Sequence, residues 1–113
     1  MDQNSFISGS YHQNDYTKEQ NSQFTREFSA ITEKMAGCLD QGLAADSEQM
    51  QQAVQEHYNF CLKFWKPTRE AYKSLAMSYV LPTDYRDSYE NVREGLGKYI
   101  YDAVTEFADQ NLA

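Results

Sequence analysis

The chain has little proline, glycine, cysteine or histidine. Only two prolines and five glycines occur in 113 residues. That excludes collagen-like and low-complexity architectures and leaves helical runs uninterrupted. Two cysteines cannot staple a disulfide scaffold, and two histidines cannot make a His-rich metal tract. No apolar run is long enough to span a bilayer, and residues 1–15 contain no apolar segment of a secretory signal. These absences point to a cytoplasmic protein with reduced thiols. Basic residues are few and scattered: 10 Lys and Arg against 17 Asp and Glu, a net charge of −7. Gripping nucleic acid requires clustered cations that displace counterions from phosphate, so direct nucleic-acid binding by this chain is not expected. Strand-like alternation and internal repeats are also lacking.

What is present is helical periodicity and aromatic rings. Nine Tyr, six Phe and one Trp stand among Gln, Glu, Ala, Lys and Leu spacers. The length allows one domain with a modest core. Residues 1–15 read as a polar leader or linker and residues 16–113 as the domain. The first helix is expected from Thr17, which with Gln20 has capping-box spacing. Its face is Phe24, Phe28, Ile31, Met35 and Cys38 or Leu39, and Gly42 ends it. A second helix opens at Asp46 or Ser47. It carries Met50, Ala53, Val54, His57, Phe60, Cys61, Phe64 and Trp65 up to Pro67, its C-terminal end buried from more than one side. Pro67 then suits the first turn of a third helix, about Thr68 to Val80, with Tyr72, Leu75, Ala76 and Tyr79 inward. After Pro82 a short helical turn is expected around Asp84–Glu90. The last helix runs over about Asn91–Asn111. The expectation is an all-α bundle of about five helices.

Chemistry is hard to find. His12 and His57 show no metal-ligand spacing with Cys38 or Cys61. No nucleophile elbow, phosphate loop or zincin motif occurs. An enzyme is therefore not expected, nor a metal or cofactor. His57 lies on an apolar helix side, where a hydrogen-bonded packing histidine is commoner than a ligand. Cys61, mid-helix beside Phe60 and Leu62, reads as a buried small apolar group. Cys38, near a helix C-terminus, reads the same way.

The rings make the one candidate site. Phe64 and Trp65 stand at a helix break. Tyr72 and Tyr79 follow two turns apart, and Tyr85 and Tyr89 come one turn apart after Pro82. Met50 and Met77 offer adaptable contacts. Rings gathered at helix ends can line a groove for flat or polycyclic ligands, or they can simply pack a core. Phe28 on the first helix and His57 complete the candidate set.

Several segments in order carry a family resemblance. They are Phe64-Trp65; Leu75, Ala76, Tyr79 and Val80; Asp84, Tyr85 and Tyr89; Gly95-Leu96; and Tyr99, Ile100, Asp102, Ala103 and Val104. Tyr16-Thr17-Lys18-Glu19 and Glu56-His57 extend the match to about residues 16–109. In this the chain resembles the TipAS antibiotic-recognition domains, the effector half of one branch of the MerR-type transcription regulators. The resemblance implies a globin-like all-α fold and an aromatic-lined cleft for a bulky antibiotic or other xenobiotic. It also implies N-terminal helices that order over the ligand as a lid, so that the helix carrying Phe24, Phe28 and Ile31 would close over Trp65, Tyr72 and Tyr79. Members that capture thiopeptides covalently carry a cysteine where this chain has Pro67, so reversible binding is implied here. Family members reach DNA and RNA polymerase through an N-terminal winged-helix domain and coiled coil, neither of which this chain contains. It is expected to be the effector portion of a regulator or a free-standing drug sequestrator. The alternative is a helical protein-interaction or dimerisation module without a small ligand.

Overall fold

The computed structural model describes residues 16–112; the leader expected over residues 1–15, with His12, lies outside them. Among the described residues there are five helices and no strand: α1 Lys18–Asp40, α2 Glu48–Cys61, α3 Arg69–Met77, α4 Asp84–Val92 and α5 Leu96–Asn111. None is long and apolar enough to cross a membrane.

Short polar residues start the first four helices. Thr17 Oγ1 accepts from the Gln20 amide at 3.0 Å while Gln20 Oε1 accepts from the Thr17 amide at 2.8 Å, the reciprocal cap expected from the spacing. Ser47 rather than Asp46 caps α2, Thr68 caps α3 and Thr83 caps α4. The start of α5 is different. Gly95 sits there at φ +86°, a region that only glycine enters cheaply. The Glu90 carboxylate accepts from the Gly95 and Gly97 amides at 2.9 and 3.1 Å. An anion thus replaces the usual capping hydroxyl at the positive end of the helix.

Helix α5 is the axis of the bundle. It packs on α3, α2, α4 and α1, and it buries Leu96, Ile100, Ala103, Val104 and Phe107. Gly97 permits the tightest approach, because a Cβ there would lie 2.2 Å from the Tyr79 carbonyl oxygen. Helices α1 and α2 lie side by side. Gln51 Nε2 ties the α1–α2 loop to α5 by donating to the Ala45 and Ala103 carbonyls. Tyr99 Oη fixes the same loop by donating to the Leu43 carbonyl at 2.8 Å.

Six sequence expectations are corrected. Helix α2 ends at Cys61, not at Pro67. The Cys61 carbonyl accepts from the amides of both Phe64 and Trp65, so the chain winds into a tight turn before the proline. Cys61 is therefore the last helical residue, not a mid-helix one. The C-terminal end of that segment is also not buried on several sides, since Leu62, Phe64 and Trp65 are exposed. Pro67 precedes the Thr68 cap instead of entering the first turn of α3, and α3 stops at Met77 in a turn that holds Tyr79. Helix α5 begins at Leu96, not near Asn91, because Gly95 breaks the chain between α4 and α5.

Candidate functional site

The two halves of α1 are held differently. Every buried residue of the helix lies between Ile31 and Cys38: Ile31, Thr32, Met35, Ala36 and Cys38. From Lys18 to Ala30 none is buried. This N-terminal half meets α2 through a seam of rings. Phe24 stands 5.0 Å from Phe64 and 6.3 Å from Phe60, edge to face. Tyr16 joins at 4.9 Å from Phe24 and 5.9 Å from Phe64. Edge-to-face pairs at these distances add about 0.5–1.5 kcal/mol each beyond area burial. The Lys63 ammonium, 3.5 Å from Glu27, flanks the seam.

Phe28 is the innermost ring of α1 before the anchored half. It is half-buried and touches Phe60 at 5.7 Å, His57 at 6.1 Å and Tyr89 at 6.3 Å. Beneath it lies a polar cluster in an otherwise apolar core. His57 is 1% exposed, Tyr72 is fully buried, and Tyr79 and Tyr89 are each 4% exposed. His57 Nδ1 and Tyr72 Oη are 2.7 Å apart, and His57 Nε2 and Tyr79 Oη are 3.5 Å apart. A neutral imidazole satisfies both contacts, one ring nitrogen accepting from a tyrosine hydroxyl and the other donating toward one. Burial pushes the His57 pKa down to about 4. Burial likewise raises the phenols of Tyr72, Tyr79 and Tyr89 above their ordinary value. Among the described residues the Tyr89 hydroxyl has no hydrogen-bond partner of acceptable geometry. Both thiols are buried, and burial raises Cys61 to about 11 and also lifts Cys38. Neither is a ready nucleophile.

The candidate residues therefore fall into three groups. Phe64, Trp65 and Met77 are on the surface, Phe64 at 45% and Trp65 at 43% exposure. Phe28 and Tyr85 are half-buried, with Tyr85 against Tyr79 at 6.3 Å. His57, Tyr72, Tyr79 and Tyr89 are inside the core, and so is Met50. With α1 closed, Trp65 does not share an open face with Tyr72 and Tyr79. A shallow depression of about 390 Å³ on the outer side of α1, lined by Lys18, Asn21, Ser22, Thr25 and Arg26, contains none of the candidates. The expected site missed the seam partners Tyr16, Phe24 and Phe60. Their signal was available: Phe60 and Phe64 are one turn apart, and Phe24 leads the α1 face. Among the described residues no group of three or more His, Cys, Asp or Glu could hold a metal ion.

Known proteins with related sequence and structure agree on one family. The TipAS antibiotic-recognition domain family matches residues 4–107. The HTH-type transcriptional regulator SkgA of Caulobacter vibrioides, in strains NA1000 / CB15N and ATCC 19089 / CIP 103742 / CB 15, is 32% identical over 89 residues. That alignment takes in 77% of this chain and 35% of SkgA, so the chain spans about a third of that curated relative's length. The solved structure of TipAS from Streptomyces lividans in complex with nosiheptide, from its thiopeptide antibiotic multidrug resistance system, superposes with a TM-score of 0.76 at 25% identity. It covers 84% of this chain and 67% of that one. With this superposition and a family match spanning nearly its whole length, this chain belongs to the TipAS antibiotic-recognition domain family.

Proposed function

We propose that the chain is the antibiotic-recognition part of a drug-responsive transcription regulator, or a drug-sequestering form of it, and that it binds bulky hydrophobic compounds reversibly. The observation that carries this reading is the asymmetry of α1. A half-helix with no buried residue covers a row of rings that leads to a buried polar cluster. Such a half-helix can swing or unwind while Ile31–Cys38 stays anchored, and a ligand can take the place of the aromatic seam. Local opening is least costly where few residues are buried. Re-ordering the half-helix over a ligand costs about 2–5 kcal/mol of gross contact energy. Reversible binding is supported by the two buried, high-pKa thiols and by Pro67 in the connection after the aromatic pair. The site is proposed as Phe28, Phe64, Trp65, Met77, Tyr85 and, once α1 moves, His57, Tyr72, Tyr79 and Tyr89. In a longer regulator, closure of α1 would alter the geometry of an attached DNA-binding dimer, the coupling that allostery requires.

The test is an amide-resolved NMR titration with nosiheptide, the compound bound to the S. lividans relative. Amides 18–30 should exchange fastest in the free domain and become protected on binding, with 31–38 protected throughout. Trp65→Ala should abolish binding with the fold kept. Unchanged affinity in that variant removes Trp65 from the site. A spectrum unmoved by thiopeptide and polycyclic antibiotics would end the drug-binding reading. The exposed Leu62, Trp65, Met77 and Leu81 support a second reading, a protein-interaction or dimerisation face. A stable dimer by sedimentation, with no ligand response, would favour it.

A further inference from the structure

We propose that His57 and the hydroxyls of Tyr72, Tyr79 and Tyr89 form a concealed recognition site for a neutral hydrogen-bonding group on an otherwise apolar ligand, with Phe28 as its plug. An amide, a phenol or an uncharged heteroaryl nitrogen has the required chemistry. The inference rests on the α1-opening reading above and gives that site its chemical selectivity.

The argument starts from an unmet need. Leaving a buried hydroxyl without a partner costs about 1–3 kcal/mol. Tyr89 Oη is in that position, in a side chain more than nine-tenths buried. The Tyr79 hydroxyl is near enough to perturb it but is not placed for a hydrogen bond of ordinary geometry. A core built for packing alone would carry Phe at position 89. The neighbours of Tyr89 are also polar. Tyr79 stacks on it edge to face at 4.7 Å, and Tyr79 in turn faces His57. Four elements supply the cluster: α2 gives His57, α3 gives Tyr72, the turn after α3 gives Tyr79 and α4 gives Tyr89. Convergence of four elements makes a pre-formed set of donors and acceptors, the arrangement that fixes a ligand's orientation in an apolar site.

The cluster also selects against charge. Burial already holds the imidazole neutral and the phenols protonated, so the surroundings penalise either sign. Among the described residues, no carboxylate, ammonium or guanidinium is in the cluster's hydrogen-bond and ring contacts to offset it. Access is the remaining requirement. Phe28 is the α1 ring that touches both His57 and Tyr89, and it belongs to the half of α1 that has no buried residue. Moving that half-helix uncovers the cluster without dismantling the packing of α3 and α5.

The experiment compares wild type with Tyr89→Phe, using three single-ring probes: 4-hydroxybenzamide, toluene and benzylammonium. The readout is the His57 ring signal by NMR, alongside urea unfolding. Wild type should bind 4-hydroxybenzamide at least tenfold more tightly than the other two. Tyr89→Phe should lose about tenfold toward 4-hydroxybenzamide only, the value of one hydrogen bond. Its stability should be unchanged or raised, because an unsatisfied polar group has been removed. Equal binding by the two proteins, or no probe binding to wild type, overturns the proposal. So does a loss of stability with binding unchanged, which would mean that an ordered water alone serves Tyr89. Nosiheptide separates the two levels of the argument. Equal nosiheptide affinity for both proteins overturns this site and leaves the antibiotic reading intact. No nosiheptide binding, with 4-hydroxybenzamide still dependent on Tyr89, overturns the thiopeptide reading and leaves the site standing.

Discussion

At the scale of the residue, His57 decides most. Its folded pKa, about 4, lies below the ordinary 6.5. Between those values the unfolded chain binds more protons than the folded one, so stability rises with pH there. The His57 contribution is fully present above pH 6.5 and is lost as pH falls toward 4, amounting to about 3 kcal/mol across that window. Urea midpoints at pH 7.5, 5.5 and 4.5 should show the loss, and His57→Gln should flatten its share of the slope. At pH 7.5 the same variant should cost about 1–3 kcal/mol, because Tyr72 Oη loses its 2.7 Å partner. The sequence placed His57 on the apolar side of a helix, and there it is 1% exposed with two tyrosine hydroxyls beside its ring nitrogens. It could not separate Tyr72, buried, from Trp65, exposed. Both are rings at helical spacing, and burial depends on which neighbour covers them.

Elements were legible where local chemistry sets them. Thr17, Ser47 and Thr68 announce three helix starts because a side-chain oxygen must meet an orphan amide. The inward faces of α1, α3 and α5 follow from apolar spacing. The start of α5 and the end of α2 depart from expectation because each is set by a turn that apolar spacing does not register. Gly95 takes a left-handed conformation, and Glu90, five residues earlier, supplies the cap. Glu90→Ala should therefore destabilise the domain by about 1 kcal/mol, read as a lower unfolding midpoint. Gly97→Ala should cost about 1–3 kcal/mol, since its Cβ would push α5 off the Tyr79 carbonyl. Calorimetry on the two variants ranks a lost cap against an overpacked helix crossing.

At the scale of the whole molecule, four ion pairs among the described residues tie separate elements: Lys34–Glu56, Lys63–Glu27, Lys73–Asp109 and Arg93–Asp40. All are largely exposed, and such pairs contribute about 0–1 kcal/mol each. They also engage four of the ten basic residues of a chain whose net charge is −7. Fluorescence anisotropy should show no binding of duplex DNA by this chain at physiological salt. The family and the all-α architecture were readable from segments in order along the chain. The division of α1 into an anchored half and a ring-held half was not, because both halves show the same period and differ only in depth.

The two sealed thiols have a consequence for selectivity in a stressed cell. Thiolate is the form that reacts with alkylating agents and peroxide, and both Cys38 and Cys61 are buried and shifted away from it. Native protein should resist iodoacetamide at pH 7.5 and become labelled only on unfolding, a difference that mass spectrometry reads directly. A domain so built keeps thiol-directed oxidants and electrophiles away from both of its cysteines for as long as it stays folded.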